Sequence, residues 1–342
     1  SVNISITIVC ALSVSVTAHP FPTFDGSNAM TASTLAPFAG SGVYQQAQLA
    51  TVLHFTDNSS QVVTTDSLTN YTVFNPNTTV VNSSVISVAG AIVSKVDAGL
   101  MGTVDISAAF STIVTLMPFS LTVTDIPVNL TEIRARGAFP ATLHGEAGVK
   151  RARSNYDAKF SDGTWFNSIF ESDVRADPGV KLPKIITFRL PVVRGASVDA
   201  ESGIVTLLKN DYELITLSAS GIGIDQSIEQ GFAANLDPVT VGDVDLGAAK
   251  GVALPSQAVG VEFDVPVRFN SLGQTVAGID ITVVYDSTFL KAISCTSGAN
   301  WPGGNFITNV DNSLGVVKFG GLPTPNFGSA AAHEVAVIRF EL

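Results

Sequence analysis

The chain has 342 residues, of which 46% are hydrophobic and only 14% are charged, and its formal net charge is −11. This length predicts two or three domains, and the acidic balance argues against a nucleic-acid partner, because binding phosphates needs concentrated Lys and Arg. The longest apolar run, residues 4–16, is interrupted by serines and is too short for a transmembrane helix. Frequent Val, Ile and Thr, without a long helical apolar stripe, predict an all-β fold.

We interpret residues 1–10 as the last strand of a preceding domain, because residues 12–16 match the opening strand of a second copy described below. A signal-peptide core is the alternative, since Thr17 and Ala18 follow the apolar run. The absence of a basic leader and of a starting Met favours the strand.

A strand–turn–strand pattern between residues 51 and 110 occurs twice. The first copy has the turn Asp57-Asn58-Ser59 and the second has Asp162-Gly163-Thr164, and both contain residue types that favour hairpins. Other matched segments are 88–93 with 198–205, 106–108 with 217–219, and 12–16 with 130–134. The offsets between matched positions are 105, 112, 111 and 118 residues, and drifting offsets of this size predict two copies of one domain with loops of different length.

We therefore predict one domain over residues 11–126 and a second over 127–244, the second with an insertion at 165–188. The pattern of a DG-type turn, an S-V-x-x-x-G-x-V segment and a T/S-A strand resembles the bacterial Ig-like group 2 domain. That family is a small β-sandwich found as strings in surface proteins. The resemblance implies a spacer or adhesive module without a catalytic centre.

From residue 245 the pattern changes. Residues 262–269 alternate for eight positions, and further strands are predicted within 277–286, 315–320 and 334–340. A V-P-V strand, a G-x-x-x-x-V-x-Y-D strand followed by F-L, a G-x-V-K-F strand and an A-x-I-x-F strand resemble a cohesin-type domain. This resemblance implies a jelly-roll sandwich that binds a partner module in some proteins and is purely structural in others. The expected closing strand is missing, so we predict that 245–342 is incomplete or is completed by strand addition from a neighbouring chain.

Acceptor triplets for N-linked glycans, N-x-S/T without Pro, are concentrated towards the start of the chain. They begin at Asn3, Asn58, Asn70, Asn77, Asn82 and Asn129. These triplets predict a secreted or cell-surface glycoprotein. Because sugar cannot be buried in a tight protein contact, residues 132–342, which have no triplet, are predicted to contact neighbouring molecules.

Basic residues are concentrated in the second copy. Of the 18 in the chain, 12 lie between Arg134 and Lys209, and only Lys95 precedes them. One interpretation is a solvated face of mixed sign. The other is a head-to-tail contact between the acidic first copy and the basic part of the next molecule.

Two cysteines, Cys10 and Cys295, fall in different predicted domains. We expect buried free thiols, with thiol partners outside this segment as the alternative.

Motifs for catalysis and metal binding begin in the chain but are not completed. These are His333-Glu334 without a second His, Asp243-Val244-Asp245 without a bidentate Glu, and Gly221-Ile222-Gly223 without a third glycine. The four histidines (His19, His54, His144 and His333) are scattered among the predicted domains. We therefore predict no catalytic residue, no metal site and no cofactor, only N-linked glycans.

Trp165 and Phe166 follow the turn of the second copy. Such aromatic residues either cover the edge of a core or form a platform on which a carbohydrate stacks.

The sequence as a whole predicts tandem Ig-like β-sandwiches followed by a jelly-roll sandwich, in a structural subunit of an extracellular filament or cell-surface appendage that binds copies of itself. The alternative is an adhesion or scaffold protein whose cohesin-like domain binds a partner module or carbohydrate. A third possibility is a set of accessory domains attached to a carbohydrate-processing enzyme.

Overall fold

The computed structural model describes residues 8–76, 84–96, 100–170, 180–191, 195–248, 254, 256–324, 327 and 332–342. Throughout these residues the regular structure is β-strand, with one 3-10 turn at Ser27–Ala29 and no α-helix. The all-β prediction is confirmed. The chain divides into two compact units, the first formed by residues 1–137, 154–187 and 219–228, and the second by 138–153, 188–218 and 229–342.

In the described part of the first unit, ten strands at its start form a sandwich. They are β1 (Ala11–Phe21), β2 (Thr34–Leu35), β3 (Gln46–Phe55), β4 (Ser60–Val62), β5 (Thr69–Phe74), β6 (Ile86–Ala89), β7 (Ile92–Lys95), β8 (Gly102–Phe110), β9 (Ile113–Val114) and β10 (Phe119–Val123). One sheet has the order β1-β3-β7-β6 with β4 beside β3, and the other has the order β2-β10-β8-β5 with β9 beside β8. Alternate residues of both sheets, among them Leu49, Ile106 and Leu121, fill the core between them.

The middle of the chain contains another ten strands. They are β11 (Leu130–Arg136), β12 (Thr142–Gly145), β13 (Lys150–Ala152), β14 (Asn155–Phe160), β15 (Trp165–Phe166), β16 (Ile186–Arg189), β17 (Ala196–Val198), β18 (Val205–Leu207), β19 (Asp211–Gly221) and β20 (Ser227–Leu236). Their sheets have the orders β11-β14-β15, β12-β20-β19-β16 and β13-β18-β17.

The strand pairing repeats between the first and middle groups of strands. The order β2-β10-β8-β5 corresponds to β12-β20-β19-β16, and in each case the first pair is parallel, with Thr34 opposite Thr122 and Thr142 opposite Ala233. Both groups also have an antiparallel hairpin at the matched segments, β6 with β7 and β17 with β18. The observed topology therefore supports a duplicated domain.

Two details of the predicted repeat are corrected. Ala11 pairs with Phe55, and Leu130 pairs with Phe160, so the opening strands are offset by 119 residues and not by 118. A register shift follows the first pair in both copies, and such a bulge makes the sequence match ambiguous by one residue. The end of the predicted insertion is also revised, because the strand β16 (Ile186–Arg189) begins inside the range 165–188.

The second unit ends in a third sandwich of seven strands. They are β21 (Val244–Leu246), β22 (Glu262–Asn270), β23 (Ile279–Val284), β24 (Lys291–Ser297), β25 (Gly304–Asp311), β26 (Val316–Pro323) and β27 (Ala332–Glu341). The sheets β21-β22-β27-β24 and β23-β26-β25 enclose a core that includes Val267, Val317, Phe319 and Ile338.

The predicted domain limits 11–126, 127–244 and 245–342 remain predictions. The limit at 244 falls inside β21, which pairs with β22. Residues 1–7, predicted to belong to a strand, lie outside the described residues, and residues 8–10 precede β1 without strand structure. Of the insertion 165–188, residues 171–179 also lie outside the described residues.

Candidate functional site

The described acceptor asparagines, Asn58, Asn70 and Asn129, all have exposed side chains. Asn58 occupies the tip of the turn between β3 and β4 with φ 66°, Asn70 lies in the edge strand β5, and Asn129 directly precedes β11. Asn3, Asn77 and Asn82 lie outside the described residues. Exposure permits glycosylation, and occupancy of all six triplets remains a prediction.

A second feature of the first unit is the contact between the first sandwich and the sheet β11-β14-β15. The turn between β14 and β15 supplies the polar side chains of this contact. The Phe160 N–H donates to the Thr164 carbonyl at 2.9 Å, and Gly163 supplies the left-handed conformation with φ 85°. Asp162 Oδ1 accepts hydrogen bonds from the Thr164 N–H at 3.0 Å and from Thr164 Oγ1 at 2.7 Å, which fixes both side chains.

Gln45, at the end of the first sandwich just before β3, reaches this turn. Its Oε1 accepts a hydrogen bond from the Ala36 N–H at 3.1 Å. Its Nε2 donates to Asp162 Oδ2 at 2.6 Å and to Thr164 Oγ1 at 3.1 Å. Only 8% of Gln45 is exposed, so the carboxamide is buried with its oxygen and its nitrogen both satisfied.

Aromatic packing closes the same contact. The Phe38 ring lies 4.3 Å from the Phe160 ring and 5.6 Å, edge to face, from the Phe166 ring, measured between centroids. Backbone bonds continue beside it, from the Ala39 N–H to the Val128 carbonyl at 3.0 Å and from the Val128 N–H to the Pro37 carbonyl at 2.9 Å. We call these residues, with Gln45, Asp162 and Thr164, the junction.

A cavity of about 230 Å³ adjoins the junction. Its lining includes Phe21, Met30, Gln45, Asp162 and Trp165. Phe38 and Phe166 also line it, so the cavity borders both the polar and the aromatic residues of the junction.

Trp165 and Phe166 could either cover a core edge or form a carbohydrate platform, and the structure places them differently. Phe166 is buried against Phe38, and the Arg134 guanidinium lies 4.6 Å from the centroid of the Trp165 ring. The alternative, that these aromatics cover a core edge, is the one that the structure shows for Phe166.

Basic residues of β11 and β14 form ion pairs within their own sheet. Arg136 lies 3.2 Å from Asp157, Arg134 lies 3.2 Å from Glu132, and Lys159 lies 3.9 Å from the same glutamate. These largely exposed pairs are of little energetic value, and they give this face charges of both signs.

The outer face of the sheet β23-β26-β25 is a third candidate feature. Val284, Ile307 and Leu322 point away from the core and are 74%, 68% and 65% exposed, whereas Phe319 points inward and is buried. Asp280 and Lys318 place charges of both signs among them. We call this surface the outer face.

Two of the three incomplete motifs have structural explanations. His333 is buried in β27, with Nε2 3.1 Å from Ser271 Oγ, and Asp243 accepts hydrogen bonds from Thr240 within a turn. His144 Nδ1 lies 3.9 Å from Asp237, a carboxylate neighbour that spacing did not predict. Among the residues that the structure describes, no three His, Cys, Asp or Glu side chains are grouped as metal ligands would be.

Both cysteines are free, but only Cys295 is buried. The expectation of a buried thiol is therefore wrong for Cys10. The backbone of Cys10 is bonded to Thr56, while its side chain faces solvent. Burial raises the pKa of the Cys295 thiol to about 11.

Comparisons with known proteins address the third sandwich most directly. Residues 251–341 match the family model of the cohesin domain, which supports the cohesin-type resemblance for this part of the chain. A search of the curated proteins finds no match to the sequence. Within the residues that the structure describes, there is no helix long and apolar enough to cross a membrane.

Several solved structures match the chain at low identity and low TM-score. Domains 1-6 of the surface layer protein SbsC match with 12% identity and a TM-score of 0.25, covering 95% of this chain and 40% of that chain. This chain thus spans about 40% of that structure's length. The EC1-3 segment of Drosophila N-cadherin matches with 11% identity and a TM-score of 0.20, covering 67% of this chain and 69% of that one. Tandem immunoglobulin domains of titin match with 7% identity and a TM-score of 0.22, covering 68% and 99%.

Glycan occupancy is the first testable prediction. In the chain isolated from its native source, glycopeptide mapping is expected to find sugar on Asn58, Asn70 and Asn129, because all three are exposed acceptors. Asn309, which is exposed in β25 but is not in a triplet, serves as the control and should be unmodified. Unmodified peptides for all three acceptors contradict the prediction.

The second testable prediction concerns the reactivity of the two cysteines. At pH 8, iodoacetamide is expected to modify Cys10 in the folded chain and to leave Cys295 unmodified, because alkylation requires the thiolate and Cys295 is buried with a raised pKa. A Cys10→Ser variant should then take up no label until it is unfolded. Rapid labelling of that folded variant would show that the environment of Cys295 is wrongly described.

Proposed function

We propose that this chain is a structural segment of an extracellular, N-glycosylated surface protein, a filament or cell-surface appendage, and that it associates with copies of itself. The junction is the observation on which the proposal mainly depends. A flexible string of domains needs no buried contact between neighbours, whereas here Gln45 and Phe38 are buried against the next sheet. A fixed connection of this kind suits a spacer that keeps a constant length.

The distribution of glycan acceptors supports different roles for the two ends of the chain, glycosylation near the start and contact with other molecules near the end. All six triplets precede residue 132, and the exposed apolar side chains of the outer face follow it. Burying such a patch against another molecule removes apolar surface from water and favours association. We assign the outer face to contact with a second copy of the chain.

The cohesin family match at 251–341 favours one alternative, a scaffold whose third sandwich binds a different partner module or carbohydrate. Under that alternative the purified chain stays monomeric. A defined partner module would then bind the parent chain and not a variant with a charge on the outer face.

Self-association is tested by sedimentation velocity over a range of concentrations on the glycosylated chain. We expect oligomers, and we expect Leu322→Glu to weaken association at least tenfold because it buries a charge in the contact. The matched control is Leu116→Glu, which makes the same change at a position that is 84% exposed in the first sandwich. It should associate as the parent does.

Two outcomes contradict the proposal. One is a parent chain that is monomeric at the highest concentration reached. The other is equal association of the parent and the Leu322→Glu variant, which would place the contact away from the outer face.

A further inference from the structure

The junction brings a threonine hydroxyl, a carboxylate and a buried carboxamide into one hydrogen-bonded set. The orientation of the Gln45 carboxamide is determined by its partners. The Ala36 N–H can only donate, so it faces Oε1, and the Asp162 carboxylate can only accept, so it faces Nε2. The nitrogen edge of the carboxamide therefore points to Asp162 and Thr164.

Thr164 has the geometry of an activated nucleophile. Its hydroxyl donates to Asp162 Oδ1 at 2.7 Å, within the distance at which a general base removes a proton. Its Oγ1 lies 3.1 Å from Gln45 Nε2. The carbonyl carbon is one C–N bond, about 1.3 Å, from that nitrogen, so the hydroxyl is within about one bond length of the separation at which such groups react, about 3 to 3.5 Å.

The other two requirements of acyl transfer are also present. The Ala36 N–H, 3.1 Å from Gln45 Oε1, is placed to stabilise the negative charge that develops on this oxygen. The second oxygen of Asp162 lies 2.6 Å from Nε2, the atom that must gain a proton in order to leave. One carboxylate thus contacts both the proton donor and the leaving group.

We propose that Thr164 and Gln45 form an intramolecular ester, which links the first sandwich covalently to the sheet β11-β14-β15. Asp162 takes the proton of Thr164 Oγ1 as this oxygen bonds to the Gln45 carbonyl carbon. The tetrahedral intermediate then collapses, the C–N bond breaks, and Asp162 returns the proton to the departing nitrogen. One molecule of ammonia is released, and no oxidant or cofactor is consumed.

The aromatic packing leaves one side of the bonded groups accessible. Phe38, Phe160 and Phe166 are buried beside them, whereas Asp162 is exposed and Thr164 is half-buried. The adjoining cavity of about 230 Å³ provides space for ammonia to leave. The cross-link does not depend on self-association, so either proposal can fail without the other.

The first copy of the domain provides an internal comparison. Asp57 and Ser59 form the same turn, with Ser59 N and Oγ both donating to Asp57 Oδ1. Among the described residues, no glutamine or asparagine carboxamide donates to this turn. The nucleophile and the base are present there without the electrophile, so no ester is expected at Ser59.

Intact-mass spectrometry on the full chain, made without glycosylation in a bacterial cytosol, tests the proposal. The folded chain is expected to be lighter than its sequence by one ammonia. Proteolysis should give a branched peptide that joins the segments containing Gln45 and Thr164. Hydroxylamine at alkaline pH should cleave the ester and leave a hydroxamate at position 45.

Three variants separate the ester from other losses of mass. Thr164→Val removes the nucleophile at nearly constant volume, and Asp162→Asn removes the base, so both should retain the full sequence mass while Thr164→Ser still loses ammonia. Circular dichroism checks that each variant is folded. A folded parent chain with the full sequence mass, or a mass loss that persists in Thr164→Val, overturns the proposal.

Discussion

The buried Gln45 carboxamide is the constraint around which the first unit is organised. Placing an amide out of water is unfavourable by about 1–3 kcal/mol or more unless its hydrogen bonds are replaced. Here the Ala36 N–H replaces one, and Asp162 and Thr164 replace the others. Separating the first sandwich from the sheet β11-β14-β15 would leave the carboxamide with only its own-domain partner. The two parts of the unit are therefore held by a requirement for polar satisfaction as well as by the Phe38 ring.

The duplicated topology explains how such a junction arises from ordinary parts. In both copies the strand that ends in Phe55 or Phe160 leads into an Asp-x-Ser/Thr turn, and the turn side chains bond in the same way. The backbone bonds between Cys10 and Thr56 also recur between Asn129 and Ser161. What differs is the neighbour. In the second copy the turn receives Gln45, and so a motif that only closes a hairpin becomes an intermodule contact.

The sequence predicts the strands and turns of the junction but not the contact between Gln45 and Thr164. Period-two alternation and the Asp57 and Asp162 turns are local signals, and they predict strands and hairpins correctly. Gln45 and Thr164 are 119 positions apart in the chain, and nothing in either local segment indicates that they meet. Asp162 was identified only as a turn residue for the same reason. Burial was equally hard to infer for Cys10, because an apolar run predicts a strand and not which of its ends is covered.

In the third sandwich, too, the sequence pattern shows that a strand has two different faces but not which face is buried. Alternation in β22 and β27 identified an inward face, and the core formed by Val267 and Ile338 agrees with it. In β25 and β26 alternation also places Ile307 and Leu322 on a common side, but the pattern does not distinguish an apolar face that meets a core from one that meets solvent. Only the position of Phe319 on the opposite side shows which face is free.

The two proposed contacts, the Gln45–Thr164 ester and the outer face, would respond differently to force along the chain. Noncovalent contacts at the edge of a module open locally at far less free energy than global unfolding, so a spacer joined only by packing would separate at its junctions first. A Gln45–Thr164 ester would move the weakest point away from the junction and into strand pairing elsewhere. The outer face would remain reversible, because apolar burial between molecules has no covalent bond. A permanent connection within the chain and an adjustable one between chains is the combination expected of a subunit that must keep its own length while it assembles.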